Sequence, residues 1–332
     1  MRTMNRRQAL QLLAACTAAT AGAPILRALP CAAAGLPSVQ EERLLLGTIV
    51  GITAVAPSAH QAQEAMDAAF ATISRLDGIL SRYNPRTPLS ALNAHGQLHD
   101  IPGELQTVME YGLELHKATA GRFDMTIAPV LDLLERTQAN PDPADLREAL
   151  ALVDSGRIRM AGGHLALAQD MAITLDGVAK GYIADAAAQT LRAHGIAHFL
   201  VDAGGDIRAQ GSPEGHASGR PWVVAIEDPE KRGQYPTTIP LRDGAVATSG
   251  GYEHPVGATT HHLLDPRSGR SPQHVRSVSV IAPTVMQADG LATALSLMPP
   301  REALRLIASL PGCACFLVTA SGGCLASPGW PA

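Results

Sequence analysis

Five aspartates in this 332-residue chain stand where apolar runs give way to small residues: Asp176, Asp202, Asp206, Asp265 and Asp289. Asp289 and Thr293 are spaced i, i+4, which puts a carboxylate and a hydroxyl on one face of a helix. Oxygen ligands of that kind suit Mg²⁺, which completes its octahedron with waters and substrate phosphate. A solvated acid beside a packed threonine is the competing interpretation. The run Ile173-Thr174-Leu175-Asp176-Gly177-Val178-Ala179-Lys180-Gly181-Tyr182 reads as a strand entering a helix through a glycine turn. Such a junction leaves backbone N–H groups open to an anion, although an ordinary capped helix start has the same appearance. Lys180 adds a cation there, Asp176 a carboxylate, and a bare carbonyl near Ala179 could serve as a third metal ligand. His262 is the best titratable candidate for base or anion contact, against a core histidine bonded to backbone. Its neighbour His261 points the other way if the run is a strand. Tyr83 and Phe123 could stack a flat ring or simply pack. The chain contains no GxxxxGK[ST], GxGxxG, HExxH or GxSxG pattern.

Those residues need a scaffold. The spacing predicts a β-like run over Leu44 to Ala56 and a helix from about Ser58 to Leu80. Further helices are predicted from Pro102 to Gly121 and from Pro143 to Val153, and a hairpin over Arg157 to Ala168 turning at Gly162-Gly163. The helix carrying Lys180 runs to about His194, followed by the strand Phe199-Leu200-Val201. Strands are also expected at Trp222 to Ile226, Thr238 to Leu241, Ala245 to Gly251 and Val275 to Ile281. Helices at Met286 to Leu297 and Arg301 to Leu310 precede a C-terminal hairpin. No repeat or long linker interrupts this, so residues 35–332 are expected to form a single α/β (α+β) domain with mixed β-sheets flanked by helices.

Composition narrows the function. Hydrophobic residues make up 46% of the chain, enough for a sizeable core. A net charge of −4 and 3% aromatic residues argue against a nucleic-acid surface. Residues 1–34 read as an export signal: a basic head with the pair Arg6-Arg7 of the twin-arginine type, an Ala/Leu-rich stretch, and small residues at Ala32-Ala33-Ala34 for cleavage. Export to the periplasm is therefore expected. Leu13-Ala14-Ala15-Cys16 also resembles a lipoprotein box, which would anchor the protein to the inner membrane through Cys16. Cys315 and Cys324 flank Ser321-Gly322-Gly323 and could form a disulfide or remain thiols.

The full set of motifs resembles the ApbE family. They are Leu175 to Tyr182, Asp202-Ala203-Gly204-Gly205-Asp206, Thr248-Ser249-Gly250, His262-Leu263-Leu264-Asp265-Pro266-Arg267-Ser268-Gly269 and Ala288-Asp289-Gly290-Leu291-Ala292-Thr293-Ala294, with Leu46-Gly47-Thr48, Leu80-Ser81-Arg82-Tyr83 and Gly121-Arg122-Phe123-Asp124. The match spans about residues 44–300. The resemblance implies an ApbE-like (T-fold-like) domain acting as an FAD:protein FMN transferase. FAD is then the substrate and Mg²⁺ the cofactor, with FMN passing to a threonine hydroxyl of a partner flavoprotein and AMP released. By position, Leu46, Tyr83, Arg122, Phe123, Asp124, Asp176, Tyr182 and Leu263 would hold FAD. The Ala179 carbonyl, Asp289 and Thr293 would hold the metal. Some relatives place a second acid three residues after the first, where this chain has Ala292. His262 resembles the family's proposed general base, and Lys180 and Asp176 complete the catalytic set. Partners implied for exported members are subunits of sodium-pumping NADH:quinone reductase, of RNF-type complexes, or the regulator of nitrous oxide respiration. An FAD pyrophosphatase and a non-catalytic flavin-binding protein are the alternatives.

Overall fold

A computed structural model describes residues 36–230, 232–233, 235–252 and 260–331. The expected export segment, with Arg6-Arg7 and Cys16, lies outside the described residues. The first described element is a hairpin of β1 (Ser38–Leu45) and β2 (Thr48–Val55), joined by Leu46-Gly47. Both turn residues have positive φ (54° and 72°), as a two-residue turn matched to strand twist requires. The sequence shows only one run here because β1 carries four consecutive polar residues, Gln40 to Arg43, as an exposed edge strand can.

Helix α1 (Ala59–Leu80) is capped by Ser58 and buries Ala62, Met66, Phe70, Ile73 and Leu80 along one face, as its periodicity predicts. A helix absent from the sequence-based expectation follows, α2 (Pro88–His95), started by the Thr87 side chain and Pro88 and closed by Gly96. At eight residues it offers too little periodicity to detect. Next come β3 (Gln97–His99), α3 (Gly103–Ala118), a second unexpected helix α4 (Ala128–Arg136), and α5 (Pro143–Ala151). The hairpin of β4 (Arg159–Ala161) and β5 (His164–Ala166) turns at Gly162-Gly163 as expected.

No strand forms at residues 173–175, contrary to expectation. That segment is extended but lacks a sheet neighbour, and its polar groups are satisfied by side chain and loop. The Ile173 N–H donates to Asn93 Oδ1 (2.8 Å), and Asn93 Nδ2 donates to the Ile173 carbonyl (2.8 Å). The Thr174 N–H donates to the Met125 carbonyl at 2.8 Å. Asn93 imitates one rung of a ladder, so an apolar β-like sequence is buried without being in a sheet.

Helix α6 (Ala179–Ala193) follows the turn, then β6 (His198–Ala203), β7 (Ile207–Gln210), β8 (Trp222–Ile226), β9 (Thr237–Leu241), β10 (Asp243–Gly250) and β11 (Val275–Ala282). Helices α7 (Val285–Ser296) and α8 (Pro300–Ala308) precede β12 (Ala314–Thr319) and β13 (Cys324–Ala326). The main sheet has the order β1-β2-β6-β7-β10-β11-β12-β13. Its ladders, and those of the two small sheets, are antiparallel throughout the described residues rather than mixed in direction. Tight hairpins link β1 to β2, β6 to β7 and β12 to β13, which forces reversal at each. One face of the sheet, with Val50, Ile52 and Ala54, shares a core with Ala65 and Phe70 of α1, Ala187 of α6 and Ala288 of α7. The other face packs Val55, Ile207, Ala209 and Val246 against Trp222, Val224 and Ile239 of the β8–β9 hairpin. Burying a side chain such as Phe70 contributes roughly 1.5–3 kcal/mol. The β12–β13 register sets Val318, not Cys315, opposite Cys324. Cys315 lies beside Ser327, whose hydroxyl accepts its N–H at 2.9 Å, and both cysteines are free thiols.

Candidate active site

The first turn of α6 meets the first half of α7 at backbone distance. A Cβ built on Gly181 would lie 2.5 Å from the Val285 carbonyl oxygen, so only glycine fits this crossing. The two helix starts then satisfy each other. The Gly181 N–H donates to Asp289 Oδ2 at 3.0 Å, and the Met286 N–H donates to Asp185 Oδ2 at 3.0 Å. These are amides that a helix start leaves open, and a carboxylate at that end is favoured by the helix dipole. Asp289 is only 4% exposed.

One turn further along α7, Thr293 closes against the glycine turn. A Cβ on Gly177 would lie 3.0 Å from Oγ1 and Cγ2 of Thr293 and 3.3 Å from the Phe123 ring. Thr293 Oγ1 also lies 3.2 Å from Ser249 Oγ, which comes from the predicted Thr248-Ser249-Gly250 strand end. Asp289, Thr293 and the Gly177–Ala179 bend are therefore brought together from separate parts of the sequence. Among the described residues, no three His, Cys, Asp or Glu side chains converge on a metal position. An ion held here would have one carboxylate and neutral oxygens, a donor set that fits a hard cation retaining waters and substrate oxygens. Ala292, between Asp289 and Thr293 on the same helix, is buried and adds no ligand.

Lys180, in the same first turn, places its ammonium 3.1 Å from Asp206 Oδ2. Asp206 belongs to the β6–β7 turn and is buried; burial pushes its carboxyl pKa up, and the Lys180 charge works against that rise. Asp202, near the end of β6, accepts the Gly205 N–H at 2.8 Å. Burial raises its pKa too.

Asp176 opens the turn on its exposed side. Its Oδ2 accepts from the Tyr83 hydroxyl at 2.9 Å and lies 3.4 Å from Arg82 Nε. Arg82 reaches on to Asp132 at 2.7 Å and covers the Tyr83 ring at 4.9 Å from its centroid. The ring remains 68% exposed while its hydroxyl end is engaged. Lost hydration at that end, and then the Asp176 charge, push the phenol up to about 12, so it stays a donor. Tyr83 is thus an exposed aromatic face backed by a guanidinium and pinned at its edge.

The other expected ligand-binding residues divide. Leu46 sits in the β1–β2 turn with the positive φ noted above, an arrangement rare for a leucine and often retained at functional positions. Tyr182 lies on α6, half-buried, near Glu104 and Arg75; burial raises its phenol pKa. Phe123 and Leu263 are buried. Arg122 is engaged with Asp265 (3.0 Å), Glu302 (3.7 Å) and the Leu297 carbonyl (3.4 Å), clasping its own loop to the 265–270 turn. Asp124 accepts from the Thr126 N–H and hydroxyl, from the Ser155 N–H and hydroxyl, and pairs with His116 at 3.2 Å. That set uses its carboxylate fully, and its part is to fix the Phe123 loop. His262 is half-buried, its ring edge-on to His261 at 6.4 Å. The His261 ring packs on Gly251, and burial lowers its pKa. The apolar run they begin forms no strand; within it Asp265 makes an isolated bridge with Arg270.

Sequence reasoning missed Asn93, Arg82 as a ligand of Asp176, and Asp185. Asn93 carries no local signal, since its partner Ile173 is eighty residues away. Asp206 is visible as part of a motif without any function attached.

Comparison with known proteins agrees with this geometry. The ApbE family model matches residues 46–317. An FAD:protein FMN transferase of Treponema pallidum (strain Nichols) is 32% identical over 296 residues, covering 81% of each chain. Among solved structures, the ApbE protein of Thermotoga maritima superposes with a TM-score of 0.81 at 26% identity, over 88% of this chain and 97% of that one. The flavin transferase ApbE from Vibrio cholerae gives a TM-score of 0.77 at 25% identity, over 88% and 97%. The chain belongs to the ApbE family.

Proposed function

We propose that this protein is an FAD:protein FMN transferase that depends on Mg²⁺ and labels a threonine of a partner flavoprotein. The relatives named for this activity support it, and so does one observation above the rest: the α6 turn meets the Asp289/Thr293 face of α7, at Gly181–Asp289 and Gly177–Thr293. Transfer between phosphate oxygens needs positioning and charge neutralisation more than covalent catalysis by the protein. The Ala179 carbonyl, Asp289 and Thr293 would hold Mg²⁺, which when bound neutralises diphosphate charge and stabilises departing AMP.

The chain's own residues do the rest. Tyr83, backed by Arg82 and Asp176, offers a face to a flat ring. Leu46, Phe123, Tyr182 and Leu263 shape the surroundings, while Arg122 and Asp124 hold the loops that carry them. Lys180, at the positive end of α6, faces the phosphates. His262 accepts the threonine proton as the hydroxyl oxygen bonds to the FMN phosphorus. The bond from that phosphorus to the bridging oxygen breaks, and AMP leaves with the bridging oxygen's electron pair.

We further propose that the protein works in the periplasm after export through Arg6-Arg7, on a flavoprotein subunit of a membrane redox complex. No helix among the described residues is long and apolar enough to cross a membrane. Incubation with FAD, Mg²⁺ and a threonine-bearing acceptor, followed by in-gel flavin fluorescence, tests the assignment. A fluorescent acceptor band and stoichiometric AMP are expected. Free FMN with AMP would mean hydrolysis, and intact FAD would mean binding alone.

A further inference from the structure

We infer that Asp206 is a positioning residue for Lys180, holding its ammonium at the first turn of α6 to receive the diphosphate of FAD; this deepens the function proposed above. The starting observation is that Lys180 stands where a lysine is disfavoured. It is the second residue of α6, at the positive end of the helix dipole. Asp206 is equally out of place, with a carboxylate only 2% exposed in a turn that an asparagine could also make. The two offset each other across 3.1 Å.

The turn holding Asp206 is itself rigid. The Ala203 N–H donates to the Asp206 carbonyl at 3.0 Å, and the Gly205 N–H is taken by Asp202. The Asp206 carboxylate thus stands on fixed backbone, and the partly exposed ammonium is the element it orders. An ammonium has three donors, so ligation by Asp206 does not exhaust its capacity to donate to phosphate oxygens. A lysine held in one rotamer loses less side-chain freedom when an anion arrives than a free one. It sets a fixed N–H donor one residue from Gly181, whose amide binds Asp289, the carboxylate proposed to hold the metal.

The test is a double-mutant cycle on FAD binding in excess chelator, where no turnover occurs. Dissociation constants are measured by flavin fluorescence for the full chain, Asp206→Asn, Lys180→Met and the double variant, with thermal unfolding of each. Asp206→Asn is expected to weaken FAD binding about tenfold when Lys180 is present and less than twofold when Lys180→Met is also present. The double variant removes both charges and is expected to unfold near the wild-type temperature, so a single variant that fails to fold still leaves one comparison with wild type: a double variant binding FAD as tightly as wild type overturns the inference. Equal weakening by Asp206→Asn in both backgrounds, or none in either, also overturns it. A wild-type chain that binds no FAD overturns both this inference and the proposed function. One that shows the expected coupling yet transfers no FMN overturns only the function.

Discussion

The Gly181 amide and the Asp289 carboxylate meet at 3.0 Å, although 108 residues separate them in sequence. That contact joins the start of α6 to the interior of α7 and brings the glycine turn within reach of Thr293. The carboxylate is buried, and one of its oxygens is fixed by a backbone N–H. Its orientation is therefore set by the fold before any ligand arrives.

Gly181→Ala tests how much the site depends on this crossing. The new Cβ would meet backbone atoms of Val285 and Met286, which cannot rotate away. The helices must separate, at a cost of about 1–3 kcal/mol, and the Asp289 bond must lengthen. Chemical denaturation is expected to show that loss together with a fall in FMN transfer. Unchanged stability and activity would mean that the crossing has slack.

Asn93→Leu removes the side chain that stands in for a strand beside Ile173. Two buried backbone groups lose their partner, and a loss of about 2–4 kcal/mol is expected from denaturant unfolding. A loss below about 1 kcal/mol would show that the segment finds other partners.

The misread segment before Asp176 and the structural part played by Asp124 share a cause. Strands and helices with many turns of period, such as α1 and β11, were legible because each residue repeats the same apolar signal. The extended segment before Asp176 reads as a strand because burial selects the same residues whether the neighbour is a ladder or the Asn93 amide. Likewise Asp124 reads as a ligand by its motif, while its saturation by Thr126, Ser155 and His116 depends on contacts no local pattern encodes. Asp289 and Thr293 were found because helical spacing alone places them together; their meeting with Gly177 and Gly181 is tertiary.

Asp202 gives stability a pH dependence. Burial raises its pKa in the folded chain, so folding disfavours its charged form. The folded state binds the proton more tightly, and this carboxyl lowers stability as pH rises from the unfolded value of about 4 through the raised one. The Asp202→Asn chain lacks that loss. Its unfolding temperature, relative to wild type, is expected to rise as pH increases above about 4. A difference independent of pH would contradict the burial effect.

His262→Ala is expected to slow transfer by about 10²–10⁴, the usual contribution of a general base, while FAD binding is retained. A variant whose pH–rate profile matches wild type would remove His262 from proton transfer.

The most direct measurement compares wild type and Asp289→Ala for covalent flavin appearing on an acceptor, with Mg²⁺ and with excess chelator. Wild type is expected to label the acceptor only with Mg²⁺, and the variant to label it under neither condition while unfolding at a similar temperature. Labelling by the variant at the wild-type rate in chelator would contradict the assignment of the α6–α7 contact as the reaction centre.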